Sequence, residues 1–361
     1  MSSTVLGKHR HQARPAPPAP ALPPHAPGAS AFRTAVLVGG VLLLQLGFIL
    51  SYVGAFHAPT ATRIPIAVVA PQAVSPQLVT ALDGLPGSPL RATPLADETA
   101  ARQWINTQEG AAALIVDPQQ SSDRLFVASG AGPAVASASG QIVAALESSR
   151  QRTVTVVDVV PLQSGDGRGL TPFYLVIGWI LGGYLVAAIV GITRGSRART
   201  VRRSVVRLVA MVPYALASGI GGALLVGPVL HALTGSLVAL SAIGTLIVLG
   251  AAVVTFALQA SLGVAGIGVT ILLFVVLGSP SAGGPYPPPL LPAFWRVISG
   301  WLPNGAGTTA VRNTVYFSGA RTTEPFLVLA TYVVVGVVLT LVATAISARR
   351  TTLPLQRGLE C

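Results

Sequence analysis

Residues 172–193, PFYLVIGWILGGYLVAAIVGIT, form an uncharged apolar run of the length that an α-helix needs to cross a bilayer. The rest of the chain has the same character: 52% of its 361 residues are hydrophobic and 9% are charged, against about 25% charged residues in soluble domains. Five more runs meet the same criterion: 34–56, about 208–230, about 236–258, about 262–278 and 326–347. The sequence therefore predicts a polytopic α-helical membrane protein with six transmembrane helices.

The first run, 34–56, lies where a secretory signal peptide would lie. It is longer than the about 7–15 residues of a signal-peptide core, and Pro59 occupies the place of a cleavage site. We therefore expect a membrane helix that stays in the protein. Before it, residues 1–33 include seven prolines from Pro15 to Pro27 and are predicted to be a disordered cytoplasmic tail.

Basic residues give the predicted orientation, because loops on the cytoplasmic side are enriched in Lys and Arg. They concentrate in the first 33 residues, in the tail 348–361 and in the loop 194–207, where they are Arg194, Arg197, Arg199, Arg202 and Arg203. This pattern places both termini and the loop in the cytoplasm and residues 57–170 outside the cell. The arginines of the loop are also expected to contact anionic lipid. A short loop between two helices is not expected to bind nucleic acid.

Residues 57–170 have a different composition from the rest, since nine of the 11 acidic residues lie between Asp83 and Asp166. Apolar and β-branched stretches at 64–70, 90–95, 111–117, 123–129 and 153–162 read as strands or extended pieces. Helical patterns separate them at 75–85, 97–108 and 132–152. The order β-α-β-α-β-β-α-β predicts a mixed α/β domain between the first and second membrane helices.

Residues 279–325 form the second long segment outside the predicted helices. AFWRVISGWL, residues 293–302, places Trp295 and Trp301 on one helical face and predicts a short helix in the membrane interface, either as an anchor or as a gate element. Pro303 is expected to end this helix. Arg312 then has two possible roles: it contacts lipid phosphate, or it pairs with an acid of the α/β domain or with Glu324.

Several kinds of chemistry are excluded or not expected. The chain has a single lysine, Lys8, outside any Walker A pattern, so it has no P-loop ATPase of its own. Its single cysteine is Cys361, and the membrane helices have no charged residue at their centres. Motifs of metalloproteases and serine hydrolases are missing. We therefore expect no enzyme activity, no cofactor and no metal site.

Small residues four apart predict close helix packing in a compact bundle and leave dimerisation open. They are Gly178 and Gly182 in the second helix, and Ala215 with Gly219 and Ser218 with Gly222 in the third.

Four strings then point to a family. They are IPIAVVAP (64–71), ADETAARQWINTQEGAAALIVDPQ (96–119), DRLFVASGAGPAVASASGQIVAAL (123–146) and WLPNGAGTTAVRNTVYFSG (301–319). Together with the layout of one helix, one α/β domain and five helices, they resemble the phage-infection-protein-like branch of the type-2 ABC exporter permeases. The proline-rich tail and the short basic loop depart from the usual pattern of such permeases.

The resemblance implies a multi-pass protein of the bacterial plasma membrane. It would be a permease subunit, in a homodimer or pseudo-dimer, that moves a hydrophobic or amphipathic substrate outward with energy from a separate ABC-type ATPase. The alternative is a cell-surface receptor or secretion-associated scaffold. In that case the α/β domain binds a protein, phage or cell-wall partner, and the helices only anchor it in the bilayer.

Overall fold

The structure, a computed structural model, describes residues 27–356. The chain divides after Leu43 into two compact units. Of the predicted tail, residues 1–26 lie outside the described residues, and the first helix, α1, spans Pro27–Phe56. It therefore begins within the range 1–33 that was predicted to be disordered.

Five helices in the described chain are long and apolar enough to cross a membrane, which fits a polytopic helical membrane protein. They are α1 with its apolar part Thr34–Phe56, α5 (Thr171–Arg194), α6 (Val201–Val229), α7 (Leu237–Leu262) and α11 (Thr323–Gln356). The run predicted at about 262–278 corresponds to α8, Ala265–Ser281, which is apolar but shorter than the other five. Five long helices and a short one thus stand where six spans were predicted.

A five-stranded sheet occupies the stretch that was predicted to be α/β. Its elements are β1 (Ile64–Val69), α2 (Ser75–Asp83), β2 (Leu90–Pro94), α3 (Glu98–Asn106), β3 (Ala112–Ile115), β4 (Ser122–Val127), α4 (Pro133–Ser149) and β5 (Thr153–Asp158). The strand order is β2-β1-β3-β4-β5, and only the β3–β4 pair is antiparallel. Both faces of the inner strands are buried, as Ile66 and Ala67 show for β1, and this explains why β1 and β3 read as continuous apolar runs. We call residues 57–170 the α/β region.

Helix α7 is the centre of the bundle, where it packs against α5, α6 and α11. Glycines allow the closest approaches: Gly183 lies against the Val248 carbonyl of α7, and Gly219 lies against the Ser241 carbonyl. Gly178, which the sequence paired with Gly182, faces open space. The packing prediction therefore holds at Gly219 and not at Gly178, because spacing alone does not show which face meets a neighbour.

The structure corrects the interpretation of residues 293–319. Helix α9 spans Ala293–Ser299, so it contains Trp295 and ends before Trp301. Trp295 is buried against Ala55 and Leu291, whereas Trp301 is 74% exposed. Pro303 does not break a helix. It begins one, α10, which spans Pro303–Tyr316, because proline fits the first turn of a helix, where its missing N–H leaves no bond unmade.

Candidate functional site

The helix α10 is buried along almost its whole length although it carries polar side chains. Asn304, Thr308 and Arg312 are spaced four residues apart and so lie on one helical face. Asn304 and Thr308 are fully buried, and Arg312 is 7% exposed. The helix packs against α5, α7, α8 and α11, and its Ala306, Ala310 and Val311 belong to the main apolar core of the bundle. This polar face, which we call the α10 face, is the candidate functional site.

Asn304 lies in the first turn of α10 and is fully buried. Its Nδ2 donates a hydrogen bond to the carbonyl of Phe274 at 3.0 Å. Phe274 lies in a π-helical stretch of α8, Leu272–Leu277, where the hydrogen-bond pattern of an α-helix is interrupted. The side chain lies against Gly278, and its Oδ1 is buried without a hydrogen-bond partner. A buried amide with one unused acceptor can accept a hydrogen bond from a ligand or water.

Arg312 brings a positive charge into the protein interior. Its Nη2 donates to the carbonyl of Gly283 at 3.2 Å. Burial lowers the pKa of the guanidinium to about 10, and the nearby charge of Asp166 opposes this shift. The side chain therefore stays positive at neutral pH. Arg312 is thus neither on a lipid-facing surface nor within ion-pair distance of Glu324, which is exposed.

Asp166 is the acid of the α/β region that the last residue of α10, Tyr316, contacts. It is 2% exposed, its Oδ1 accepts from the Thr171 backbone N–H at 2.9 Å, and its Oδ2 accepts from the Tyr316 hydroxyl at 2.7 Å. Burial raises the pKa of Tyr316, and the hydrogen bond to Asp166 adds to this effect, so Tyr316 stays a donor. Asp166 thereby joins the start of α5 to Tyr316 at the end of α10. Tyr316 lies one helical turn beyond Arg312.

Further contacts hold the α/β region to the helices that follow it. The side chain of Gln163 donates to the Thr234 carbonyl at 3.1 Å and accepts from the Thr234 N–H at 2.6 Å. At the other side, Arg321 Nη1 donates to the Gln108 carbonyl at 3.2 Å. The end of α10, at Tyr316, and the loop that follows it, at Arg321, are therefore both attached to the α/β region.

An apolar groove of about 570 Å³ runs between α5 and α6. Trp179 forms part of its wall, packs against Gly222 and donates from Nε1 to the Ser218 carbonyl at 3.0 Å, while Gly221 leaves the α6 wall open. A groove of this volume and character can accept an apolar chain or a small amphipathic molecule.

The arginines of the predicted loop 194–207 lie far from the α10 face, and the structure shortens that loop to residues 195–200. Arg194 ends α5, Arg202 and Arg203 lie in the first turn of α6, and Arg197 and Arg199 lie in the connection itself. All five are exposed. Arg197 Nη2 donates to the Ser261 carbonyl at the end of α7. Because α5 has the α/β region at Thr171 and this loop at Arg194, the two sit at opposite ends of a helix about 36 Å long.

One pair of acids was missed by the sequence interpretation. Asp123 on β4 and Glu147 on α4 are both fully buried, and Arg152 binds Asp123 through Nε at 2.7 Å and Nη2 at 2.6 Å. Burial raises the pKa of Glu147, and its contact with Asp123 raises it further. Burial by itself would raise the pKa of Asp123. The hydrogen bonds that Asp123 accepts from Arg152 and from the Asp117 N–H outweigh burial and lower the pKa. Arg150 pairs with Glu147 at 2.9 Å as Arg152 pairs with Asp123, and we assign the two acids a structural role.

Comparison of the chain with protein-family models, with curated proteins and with solved structures finds no match. The site is therefore interpreted from its own geometry. Of the residues singled out by sequence, the structure buries Arg312 and Trp295, and leaves Trp301 and the five loop arginines exposed. It adds Asn304, which contacts Phe274, and it brings Tyr316 and Asp166 together from positions 150 residues apart.

Proposed function

We propose that this chain is the permease subunit of an ABC-type exporter, energised by a separate ATPase, and that it moves a hydrophobic or amphipathic substrate outward. The observation that carries the proposal is the α10 face. Helices that only anchor a receptor need apolar surface and gain nothing from a short buried helix with Asn304 and Arg312. Short, discontinuous helices with polar groups inside a bundle are typical of transporters, where they line the path of the substrate.

Two further features support a permease over a scaffold. The groove between α5 and α6 offers an apolar surface next to Trp179 that suits a hydrophobic substrate. Because the sequence has no Walker A lysine, a separate ATPase subunit would supply the energy of such an exporter. The alternative, a receptor or scaffold whose α/β region binds an external partner, accounts for the α/β region and leaves the α10 face unexplained.

We further propose a topology with six crossings in the bacterial plasma membrane. The exposed arginines between α5 and α6 would face the cytoplasm and the α/β region the outside, in accord with the positive-inside rule. Helix α8, at about 26 Å, would cross where the bilayer core of about 30 Å is locally thinner.

Copurification and activity test the proposed function. The tagged chain, extracted from native membranes in mild detergent, is expected to carry an ATPase subunit whose ATP hydrolysis is coupled to this chain. In reconstituted vesicles, Arg312→Gln and Asn304→Ala should lower ATP-driven release of a fluorescent amphiphile about tenfold or more, a loss of about 1.4 kcal/mol. Thr309→Ala is the matched control, because Thr309 is the exposed position of the same helix.

Two outcomes would contradict the proposal. One is a chain that copurifies with no ATPase although it retains binding of an external partner. The other is equal export by the Arg312→Gln, Asn304→Ala and Thr309→Ala variants when all three insert and fold.

The topology has its own test in a background that lacks Cys361. A cysteine at Ser121, which is exposed in the α/β region, should react with a membrane-impermeant thiol reagent in intact cells, and one at Ser196 should react only after lysis. Ser139, although it lies in the α/β region, is fully buried and is unsuitable as a reporter. The reverse labelling pattern would overturn the orientation.

A further inference from the structure

A polar pocket of about 650 Å³ opens where the α/β region meets the loop between α10 and α11. Arg91 and Thr93 line it from the edge strand β2, Trp104 and Glu109 from the end of α3 and the turn after it, and Arg321 from the loop. Arg91 and Thr93 are two residues apart on one strand, so their side chains share a face of the sheet. Nothing in the proposed export function uses these residues.

The charges of this pocket favour an anion. Arg91 and Arg321 are exposed, and neither guanidinium takes part in an ion pair within residues 27–356. Glu109 is the single acid in the lining, and it accepts a hydrogen bond from the Thr107 hydroxyl at 3.2 Å. Two planar guanidinium groups beside one acid present several N–H donors to an anion, and their geometry matches that of a phosphate as well as that of a carboxylate.

The pocket also lies close to the start of a membrane-spanning candidate. Arg321 precedes Thr323, the first residue of the apolar span Thr323–Arg349, by two residues. A span that crosses the bilayer begins at the level of the lipid headgroups, and the pocket therefore lies at that level. Trp104 in the pocket wall is the kind of side chain that accumulates at this depth, because its ring is apolar and its N–H is polar.

The backbone of the pocket is held in an unusual conformation. Gln108 and Arg321 have φ angles of 59° and 50°, in the left-handed region that side-chain-bearing residues rarely adopt. The hydrogen bond from Arg321 Nη1 to the Gln108 carbonyl joins these two residues across the pocket. Asn313 of α10 fixes the loop from behind by donating to the Ala320 carbonyl at 2.9 Å. Such over-determined backbone positions cluster at ligand clamps.

From these observations we propose that the pocket binds the phosphate headgroup of an anionic membrane lipid in the leaflet next to the α/β region. Arg91 and Arg321 hold the phosphate, and Thr93 and Glu109 are available to hydroxyl groups of the headgroup. The lipid is proposed as a bound ligand that fastens the α/β region to the bilayer beside α11. This proposal needs α11 to cross the membrane and does not depend on export.

Binding of lipid to the full-length protein tests the proposal. The detergent-solubilised protein is titrated with phosphatidylglycerol or with phosphatidylcholine, and bound lipid is counted by native mass spectrometry. Phosphatidylglycerol is expected to bind more tightly, and Arg91→Gln or Arg321→Gln should each weaken it about fivefold, the effect of about 1 kcal/mol per basic residue near an anionic lipid surface. Arg91→Lys, which keeps the charge, should lose less than Arg91→Gln.

Two controls decide among the outcomes. Arg102→Gln removes an exposed arginine that pairs with Glu98 outside the pocket, and it should leave phosphatidylglycerol binding unchanged. Glycerol 1-phosphate carries a phosphate group like that of the lipid but has no acyl chains. At millimolar concentration it is expected not to displace the lipid. Equal binding of the two lipids, equal loss in the pocket and control variants, or displacement by glycerol 1-phosphate would each overturn a lipid-headgroup site.

Discussion

Replacing Tyr316 by Phe removes one hydroxyl group from the contact between α10 and the segment that precedes α5. That hydroxyl donates to Asp166 Oδ2 at 2.7 Å, and Asp166 is 2% exposed, so water cannot easily replace the lost donor. The other carboxyl oxygen stays bonded to the Thr171 N–H. The substitution therefore leaves the Oδ2 atom of a buried carboxylate without the hydroxyl that donates a hydrogen bond to it.

The magnitude follows from the kind of bond. A hydrogen bond to a charged group contributes about 1.5–3 kcal/mol, and we expect Tyr316→Phe to lower the free energy of unfolding by about 2 kcal/mol. Asp166→Asn removes the charge from the same bond, so the double variant should be less destabilised than the sum of the single variants. The coupling energy from this double-mutant cycle should be about 1–2 kcal/mol.

The assay is reversible unfolding of the full chain in mixed micelles, followed by circular dichroism. Tyr174→Phe is the matched control, because Tyr174 is 62% exposed on α5 and its loss should change stability by no more than about 0.5 kcal/mol. A Tyr316→Phe variant as stable as this control, or a coupling energy near zero, would refute the view that Asp166 and Tyr316 fasten α10 to the start of α5.

Three other substitutions probe the packing, the acid pair and the loop after α10. Gly219→Ala places a methyl group against the Ser241 carbonyl and should destabilise the bundle by about 1–3 kcal/mol, whereas Gly221→Ala, which meets open space, should not; equal thermal stability of the two would contradict the helix contact. Because burial raises the pKa of Glu147, the stability that its protonated form supplies is lost as pH rises through the folded-state pKa. Glu147→Gln should therefore slow hydrogen exchange in β4 and β5 relative to wild type at pH 8 and leave it equal near pH 4, and no difference at either pH would count against a protonated Glu147. Asn313→Ala removes the side-chain donor to Ala320 and should raise protease cleavage after Arg321 severalfold without changing cleavage in the loop at Arg199; unchanged cleavage at both would show that the loop is held by other contacts.

The α/β region was largely predictable because its signals are local. IPIAVV and AALI are apolar on both faces, Asp97 accepts from the Ala100 N–H at the start of α3, and Pro133 stands at the start of α4. The strand order and the antiparallel β3–β4 pair were not predictable in the same way. They depend on which strands pair with each other in the folded sheet, and the residues within a single strand do not determine that pairing.

The candidate site was the least predictable part, and α10 shows why. Pro303 is compatible both with the end of one helix and with the start of another, and only the packing of the next three turns against α5, α7 and α8 selects the second. The spacing of Asn304, Thr308 and Arg312 was a usable signal, because polar residues four apart on a helix with apolar neighbours suggest a buried polar face. It was obscured by the prolines that precede it.

The sequence by itself determined that the chain has long apolar helices and an α/β insertion between the first and second of them. The physical reason is that a helix satisfies its own backbone hydrogen bonds, so an apolar run of about 20 residues specifies a membrane-compatible segment without help from the rest of the chain. Only the tertiary structure decided that Arg312 is buried, that Tyr316 reaches Asp166, and that Arg91 and Arg321 share one pocket. Arg312 meets Gly283, 29 positions before it, and the other two pairings join residues 150 and 230 positions apart; their free energy exists only when the intervening elements have packed.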